Sequence, residues 1–150
     1  MIETLMALML SLMSTAPNRH LYKSEEIRRE YAEYFVSAGR MSGVHPILLV
    51  IWGYGESSLR TSAVGKLGEQ GIFQTHGRAK KICEKHYDLK TAKGQIFCGA
   101  SIIALYTKHC KTLKRGLYAY SSAREGCNGT QRGRRITERR LRRWRKILFR

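Results

Sequence analysis

The chain has 150 residues, which is enough for one domain with a buried core and excludes two such domains. Its 28 Lys and Arg residues against 11 Asp and Glu residues give a net charge of +17 at pH 7. This excess predicts an anionic partner, and composition alone does not choose among nucleic acid, lipid, lipopolysaccharide and wall polymer.

The first predicted helix lies in the apolar run at the N-terminus, MIETLMALMLSLM. The run is shorter than a transmembrane helix, and Glu3 offsets the positive charge that a signal peptide would carry here. We therefore expect residues 1–20 to form a helix that packs on the domain, with an export signal or membrane anchor as the alternative. Its apolar residues recur at helical spacing: Ile2, Leu5, Met6, Met9, Leu12 and Met13.

A second helix is predicted after Ser24, whose side chain suits an N-cap, and a stripe of apolar residues from Ile27 to Met41 supports it. A further helical pattern runs from Gln95 to Cys110, and another begins near Leu117. No alternation typical of β-strands persists anywhere in the chain. The sequence therefore predicts a mainly α fold, with one domain over residues 21–131.

Between these helices, Pro46 opens a short helix whose residues Ile47–Trp52 are apolar on every side, as expected of a buried helix. Glu56 follows at its carboxyl end. Burial and the negative end of the helix dipole both disfavour a charged carboxylate there. We therefore expect Glu56 to retain a proton near neutral pH, as a general acid for glycoside cleavage must.

The chain ends in a strongly basic segment, residues 132–150, with ten Lys and Arg residues and a single acid, Glu138. Leu141, Trp144 and Leu148 form an apolar stripe at helical spacing within it. Two interpretations are open. The segment is either an amphipathic tail that binds an anionic membrane or polymer, or a terminal helix whose stripe docks on the domain.

The chain has four cysteines, and because none lies in a C-x-x-C pair, their spacing argues against a zinc site. Cys98 and Cys110 would lie about 18 Å apart on one helix, too far for a disulfide. The pairs that remain are Cys83–Cys98 with Cys110–Cys127, or Cys83–Cys110 with Cys98–Cys127; four free thiols are the other possibility. Disulfides would fit an oxidising compartment.

Four segments in order carry a family resemblance: Glu56–Leu59, Ala63–Gly65, Gly68–Gln74 and Ala119–Ser122. They are similar to the E-S-x-F/L, G-x-x-G-L-M-Q and A-Y-N-x-G motifs of soluble lytic transglycosylases and goose-type lysozymes. The resemblance covers roughly residues 25 to 130. It departs from the family at Ile72-Phe73, which replace Leu-Met, and at Ser121, which replaces Asn.

This resemblance implies a small, phage-type enzyme that cleaves the β-1,4 bond between N-acetylmuramic acid and N-acetylglucosamine in peptidoglycan and forms a 1,6-anhydro product. Glu56 would be the general acid and base. Tyr120 would hydrogen-bond the Glu56 carboxyl or the sugar. Ser57 would position the loop and approach the peptide or acetamido group of the substrate, and Gln74, Glu69 and Ser121 would contact the substrate. No cofactor or metal is expected. The place of action would be the cell wall, reached through the periplasm or from a virion.

Two other functions remain open. Glu69, in the Gly-rich loop after Glu56, could activate water, and the enzyme would then be a hydrolytic muramidase. Alternatively, the protein is a non-enzymatic cationic binder of membranes or nucleic acid. We expect a monomer that meets an anionic envelope, whether lipid, lipopolysaccharide or wall polymer, through residues 132–150, and nucleic acid is not the favoured partner.

Overall fold

The fold was analysed in a computed structural model, which describes residues 1–14, 24–122 and 126–149. It has seven α-helices, and the described residues contain no strand, so the predicted mainly α fold is confirmed. The chain forms one compact domain. Its helices are α1 (Ile2–Met13), α2 (Glu25–Ser42), α3 (Pro46–Ser57), α4 (Gly77–Glu84), α5 (Ala92–Cys110), α6 (Leu113–Ser122) and α7 (Gln131–Leu148).

Helix α3 is the centre of the molecule. Every residue from Ile47 to Trp52 is at most 3% exposed. Helices α1, α2, α5 and α7 all pack against it. His45 begins the helix, because its Nδ1 accepts the backbone N–H of Ile47, and Pro46 occupies the first helical position. An all-round apolar helix thus becomes the core around which the other helices assemble.

Helix α2 meets α3 at a sharp corner of 114°. The Ser24 hydroxyl caps the start of α2, as predicted, by accepting the Ile27 N–H. At its end, Gly43 adopts a left-handed conformation (φ 72°) and donates its N–H to the Gly39 carbonyl. Glycine tolerates this φ without strain, so it terminates the helix and lets the chain turn.

Helix α1 packs on α2 and α3. Its buried side chains are those of the predicted stripe: Leu5, Met6, Met9, Leu12 and Met13. The helix ends at Met13, and the boundary expected at residue 20 lies outside the described residues. No single helix in the described ranges is long and apolar enough to cross a membrane, while the bent α2–α3 pair passes that test by length and composition only.

Helix α7 differs from the expectation of a separate tail. It begins at Gln131 and packs against α3 and α6. Leu141 is 3% exposed, and Trp144 and Leu148 pack on the same core cluster. The apolar stripe is therefore an internal packing surface, and α7 belongs to the domain instead of extending from it. Of the two interpretations left open by the sequence, docking on the domain describes this helix.

The four cysteines form two disulfides, Cys83–Cys98 and Cys110–Cys127. This is the first of the two pairings that the spacing allowed. The first bridge joins α4 to α5, and the second ties the end of α5 to a short 3₁₀ turn, Gly126–Asn128, that precedes α7. The two bridges therefore tie α5 to the helix before it and to the turn that precedes α7.

Candidate active site

Glu56 lies in the last turn of α3, and its side chain is 22% exposed. Ile47–Gly53 are buried, Tyr54 is half-buried and Gly55 is exposed, so the helix reaches the surface in its last turn. Ser58 and Leu59 follow with left-handed φ angles of 54° and 59°. Such angles are strained for residues with a side chain, and strain of this kind is concentrated at functional sites.

Arg140 of α7 is the direct partner of Glu56. Its Nη1 donates to Glu56 Oε1 at 2.5 Å, and its side chain is only 9% exposed. The guanidinium also stacks on the indole of Trp52, with its Cζ 4.5 Å from the ring centroid. Sequence reasoning considered only burial and the helix dipole as influences on Glu56, and it did not single out Arg140. The packing of α7 adds a buried guanidinium beside this carboxyl group.

Gly55 makes room for this arginine. A Cβ at this position would lie 2.5 Å from Arg140 Nε and 2.6 Å from Nη2. The signal that could have identified Arg140 in the sequence is its register, since it follows Thr137 by three residues and precedes Trp144 by four. Those positions lie on the inward side of an amphipathic helix, where a charged residue needs a partner.

Tyr120 lies beside the Glu56–Arg140 pair, but its hydroxyl is used elsewhere. It donates to the Phe73 carbonyl at 2.6 Å, and its ring packs edge-on against Trp52. Of the two partners expected for the Tyr120 hydroxyl, the Glu56 carboxyl or the sugar, the first is therefore replaced by the loop backbone, and contact with a sugar stays a prediction. Burial raises the pKa of Tyr120 well above 10, and the Glu56 carboxylate raises it further, although Arg140 opposes the shift. The phenol remains neutral and acts as a donor.

Ser57 is 5% exposed and faces the interior. Its hydroxyl donates to the Ile72 carbonyl at 2.8 Å and, more weakly, to that of Gly53 at 3.3 Å. These bonds join the end of α3 to the far side of the loop. The structure thus uses Ser57 to position the loop, which is one of the two roles suggested by the family motif, and its buried hydroxyl is not presented to solvent.

The loop between α3 and α4 is folded tightly on itself. Gln70 forms isolated antiparallel bridges with Val64 and Thr75. Gln95 of α5, which sequence reasoning did not single out, holds the loop through hydrogen bonds of its side-chain amide. Its Oε1 accepts the Ile72 N–H at 2.9 Å, and its Nε2 donates to the Thr61 carbonyl at 3.1 Å. The side-chain amide therefore satisfies backbone groups in two separate segments of the loop.

The side chains of Gln74 and Glu69 both form hydrogen bonds with the backbone of this loop. Gln74 Nε2 donates to the carbonyls of Gly71 and Ala63, at 2.9 and 3.2 Å. Glu69 Oε2 accepts the Leu67 N–H at 2.9 Å. Hydrogen bonds from its own backbone N–H and from Leu67, with the charge of His76, lower the pKa of Glu69. Glu69 is consequently a carboxylate at neutral pH.

Ser121 belongs to the contact between α6 and α7. Its hydroxyl lies 3.2 Å from that of Thr137, which in turn donates to the Leu117 carbonyl. The structure thus places Tyr120 and Arg140, the partner of Glu56, against Trp52, and it joins Tyr120 to the Gly-rich loop at Phe73. It assigns Ser121 to helix packing. Among the described residues, no three His, Cys, Asp or Glu side chains are grouped so that they could hold a metal ion.

Comparisons of the chain with protein-family models, with curated proteins and with solved structures found no match.

Proposed function

We propose that this protein is a peptidoglycan lytic transglycosylase in which Glu56 is the catalytic acid and base. The observation that carries the proposal is a partly exposed carboxyl group in the last turn of a helix whose residues Ile47–Gly53 are buried, held by a buried arginine beside a strained loop. The ordered motifs around Glu56, Gly68–Gln74 and Tyr120 support the same reaction class.

The reaction has two halves. Glu56 Oε1 is bound to Arg140, so we assign proton transfer to Oε2. A proton on Oε2 passes to the glycosidic oxygen, the bond from that oxygen to C1 of the muramic acid breaks, and the glucosamine 4-hydroxyl leaves. The 6-hydroxyl of the muramic acid then attacks C1, and its proton returns to Oε2. No water is consumed, and the acid becomes the base as microscopic reversibility requires.

Arg140 would be a positioning residue in this scheme. The guanidinium is held on the Trp52 ring, so it fixes the orientation of the carboxyl group through Oε1. An ion pair is made by the carboxylate, which is the form that Glu56 takes after protonating the leaving group. The same contact therefore stabilises the product of the first half-reaction, at the moment when negative charge develops on Glu56.

Hydrolysis is the second candidate, with Glu69 as the base that would activate water. Glu69 is the second carboxyl group of this region, although its Oε2 accepts the Leu67 N–H and its lowered pKa makes it a weaker base. In that case the product would carry a reducing end in place of the 1,6-anhydro ring. Non-enzymatic binding by a cationic protein is the third candidate, and it assigns no chemistry to Glu56.

Mass spectrometry of purified peptidoglycan digested with the protein separates the three. Anhydro ends support the transglycosylase, reducing ends that disappear in Glu69→Gln support the muramidase, and undigested wall rejects both. Glu56→Gln should abolish product with either mechanism while leaving the fold intact. Its matched control is Glu84→Gln, which changes a carboxylate on α4 that pairs only at the surface with Lys80. Digestion by Glu56→Gln at the wild-type rate would overturn the assignment of Glu56.

A further inference from the structure

The side of α7 that faces away from the core carries an uninterrupted row of cations. Its members recur at i, i+3, i+7, i+10 and i+14, which places them on one face of the helix. With a rise of 1.5 Å per residue, the row is about 21 Å long. It consists of the exposed side chains of Arg132, Arg135, Arg139, Arg142 and Lys146.

These charges are not neutralised within the described part of the chain. The single acid of α7, Glu138, is occupied by α6, where Lys114 lies 2.6 Å away and the Tyr118 hydroxyl donates at 2.6 Å. The salt bridges found among the described residues include no member of the row. The outer face of α7 therefore presents five positive charges, about 5 Å apart along the helix, with no internal counter-charge.

The apolar side of α7 is not available to enter a membrane, because Leu141 and Trp144 pack on the core. Phe149 is different. It directly follows the helix and is 85% exposed, more than any other large apolar side chain in the described ranges. An aromatic side chain beside a cationic helix face suits the boundary between headgroups and acyl chains, whereas a dissolved polymer would offer it no apolar phase.

We propose that the row and Phe149 dock the protein on an anionic phospholipid bilayer as a peripheral protein that does not insert a helix. Charge complementarity supplies the attraction, and Phe149 supplies one shallow apolar contact. Arg140 leaves α7 on another side, toward Trp52, so Glu56 would remain uncovered in the docked protein. This inference goes beyond the proposed function and holds whether or not Glu56 is catalytic.

The test is sedimentation of the full-length protein with vesicles of phosphatidylglycerol mixed with phosphatidylcholine, and with vesicles of phosphatidylcholine alone. The wild-type protein should bind only the anionic vesicles and be released by salt. Each basic residue near such a surface adds about fivefold in affinity. The triple variant Arg135→Gln, Arg139→Gln, Arg142→Gln should therefore bind about a hundredfold more weakly, and Phe149→Ser several-fold more weakly.

The matched control is Lys81→Gln, Lys85→Gln, Lys90→Gln, which removes the same charge from exposed positions on and after α4. It should retain binding within a few-fold, and circular dichroism establishes that both triple variants are folded. Equal loss in both would mean that net charge alone acts and would overturn the proposed surface. Wild-type binding to a DNA duplex without binding to anionic vesicles would also overturn it, in favour of a nucleic-acid surface.

Discussion

At the scale of single residues, the site depends on how three side chains share one small volume. Arg140 contacts the Glu56 carboxylate with one edge and the face of the Trp52 ring with its plane. The absence of a side chain at Gly55 leaves the space that the guanidinium fills. An arginine suits this position better than a lysine would, because a planar, weakly hydrated guanidinium both stacks on an aromatic ring and donates in a fixed direction.

Replacing Arg140 by Ala should lower the free energy of unfolding by about 3 kcal/mol, since it leaves the Glu56 charge without its partner and removes the stacking on Trp52. Urea unfolding followed by circular dichroism measures this loss. The control Arg139→Ala changes the exposed neighbour and should stay within about 0.5 kcal/mol of the wild-type protein. Equal stability of the two variants would show that the pair does not contribute to the fold.

A double-mutant cycle with Glu56→Gln isolates the interaction from the separate effects of the two side chains. Because the atoms are in direct contact, the two substitutions should be non-additive. Additive effects would mean that Arg140 stabilises the fold only through its contact with Trp52.

His45 predicts a pH dependence of stability. Burial lowers its pKa from the ordinary value of 6.5, and its unprotonated Nδ1 accepts the Ile47 N–H at the start of α3. The unfolded chain therefore binds the proton more readily than the folded one. The stabilising contribution is complete above pH 6.5 and is lost as the pH falls below that value through the folded-state pKa.

The variant His45→Asn should keep the cap, because an Asn side chain accepts the same N–H, but should not titrate. Thermal unfolding from pH 8 to about pH 5 should thus show a smaller loss of stability in the variant than in the wild-type protein. The comparison cancels the contributions of the other histidines, which both proteins share. Identical pH profiles would exclude His45 as a source of the effect.

At the scale of secondary-structure elements, α7 has two different faces with separate roles. Its inner face contributes Leu141 to the core and Arg140 to the site, and its outer face carries the cation row. The capping Thr130 hydroxyl accepts the Gly133 N–H, so the helix begins at a defined residue beside the second disulfide. The large amphipathicity of this segment is thus explained by a core on one side and solvent on the other.

Truncation after Gln131 should unfold the domain instead of removing a dispensable tail. The deletion uncovers the faces of α3 and α6 that α7 covers, and burying a single Leu or Trp side chain is worth about 2–3 kcal/mol. Near-UV circular dichroism of the truncated chain should lose the signal of packed aromatic residues. Truncation after Leu148, which removes the exposed Phe149 and the residue after it, is the control and should keep that signal. A folded product from the longer deletion would contradict the structural role of α7.

At the scale of the whole molecule, the chain carries a strong excess of positive charge, and an apolar core and two disulfides stabilise its fold. Much of the acidic charge is already bound in ion pairs, including Glu3 with Arg29, Glu84 with Lys80 and Glu138 with Lys114. Repulsion among the remaining cations opposes folding. Cross-links that close the chain between α4, α5 and the turn before α7 offset this repulsion by restricting the unfolded state.

Reduction should therefore lower the melting temperature. The bridges join residues 15 and 17 positions apart, and a loop of this length is worth about 3 kcal/mol in the loop-closure model. The double variants Cys83→Ala, Cys98→Ala and Cys110→Ala, Cys127→Ala should each melt about 10 °C lower than the oxidised protein. Calorimetry with and without reductant measures the change. Four reactive thiols in the untreated protein would show that the bridges do not form.

Local patterns in the sequence were sufficient to predict most of the helices. The all-round apolar segment Ile47–Trp52 required a buried helix, and the N-cap at Ser24 followed from side-chain chemistry within one turn. The spacing of the cysteines restricted the disulfides to two pairings. These features depend on neighbours a few residues apart, so the amino-acid sequence by itself determined them.

The tertiary structure alone decided which distant groups meet. The bond between Arg140 and Glu56 joins residues 84 positions apart, and the bond from Tyr120 to the Phe73 carbonyl joins residues 47 apart. No local pattern encodes such contacts, because they depend on how α7 packs against α3 and how α6 packs against α5 and α7. The same packing turned the apolar stripe of α7 inward and left its cations outside. The reason is that the free energy is lower when Leu141 and Trp144 are buried than when they are exposed to water.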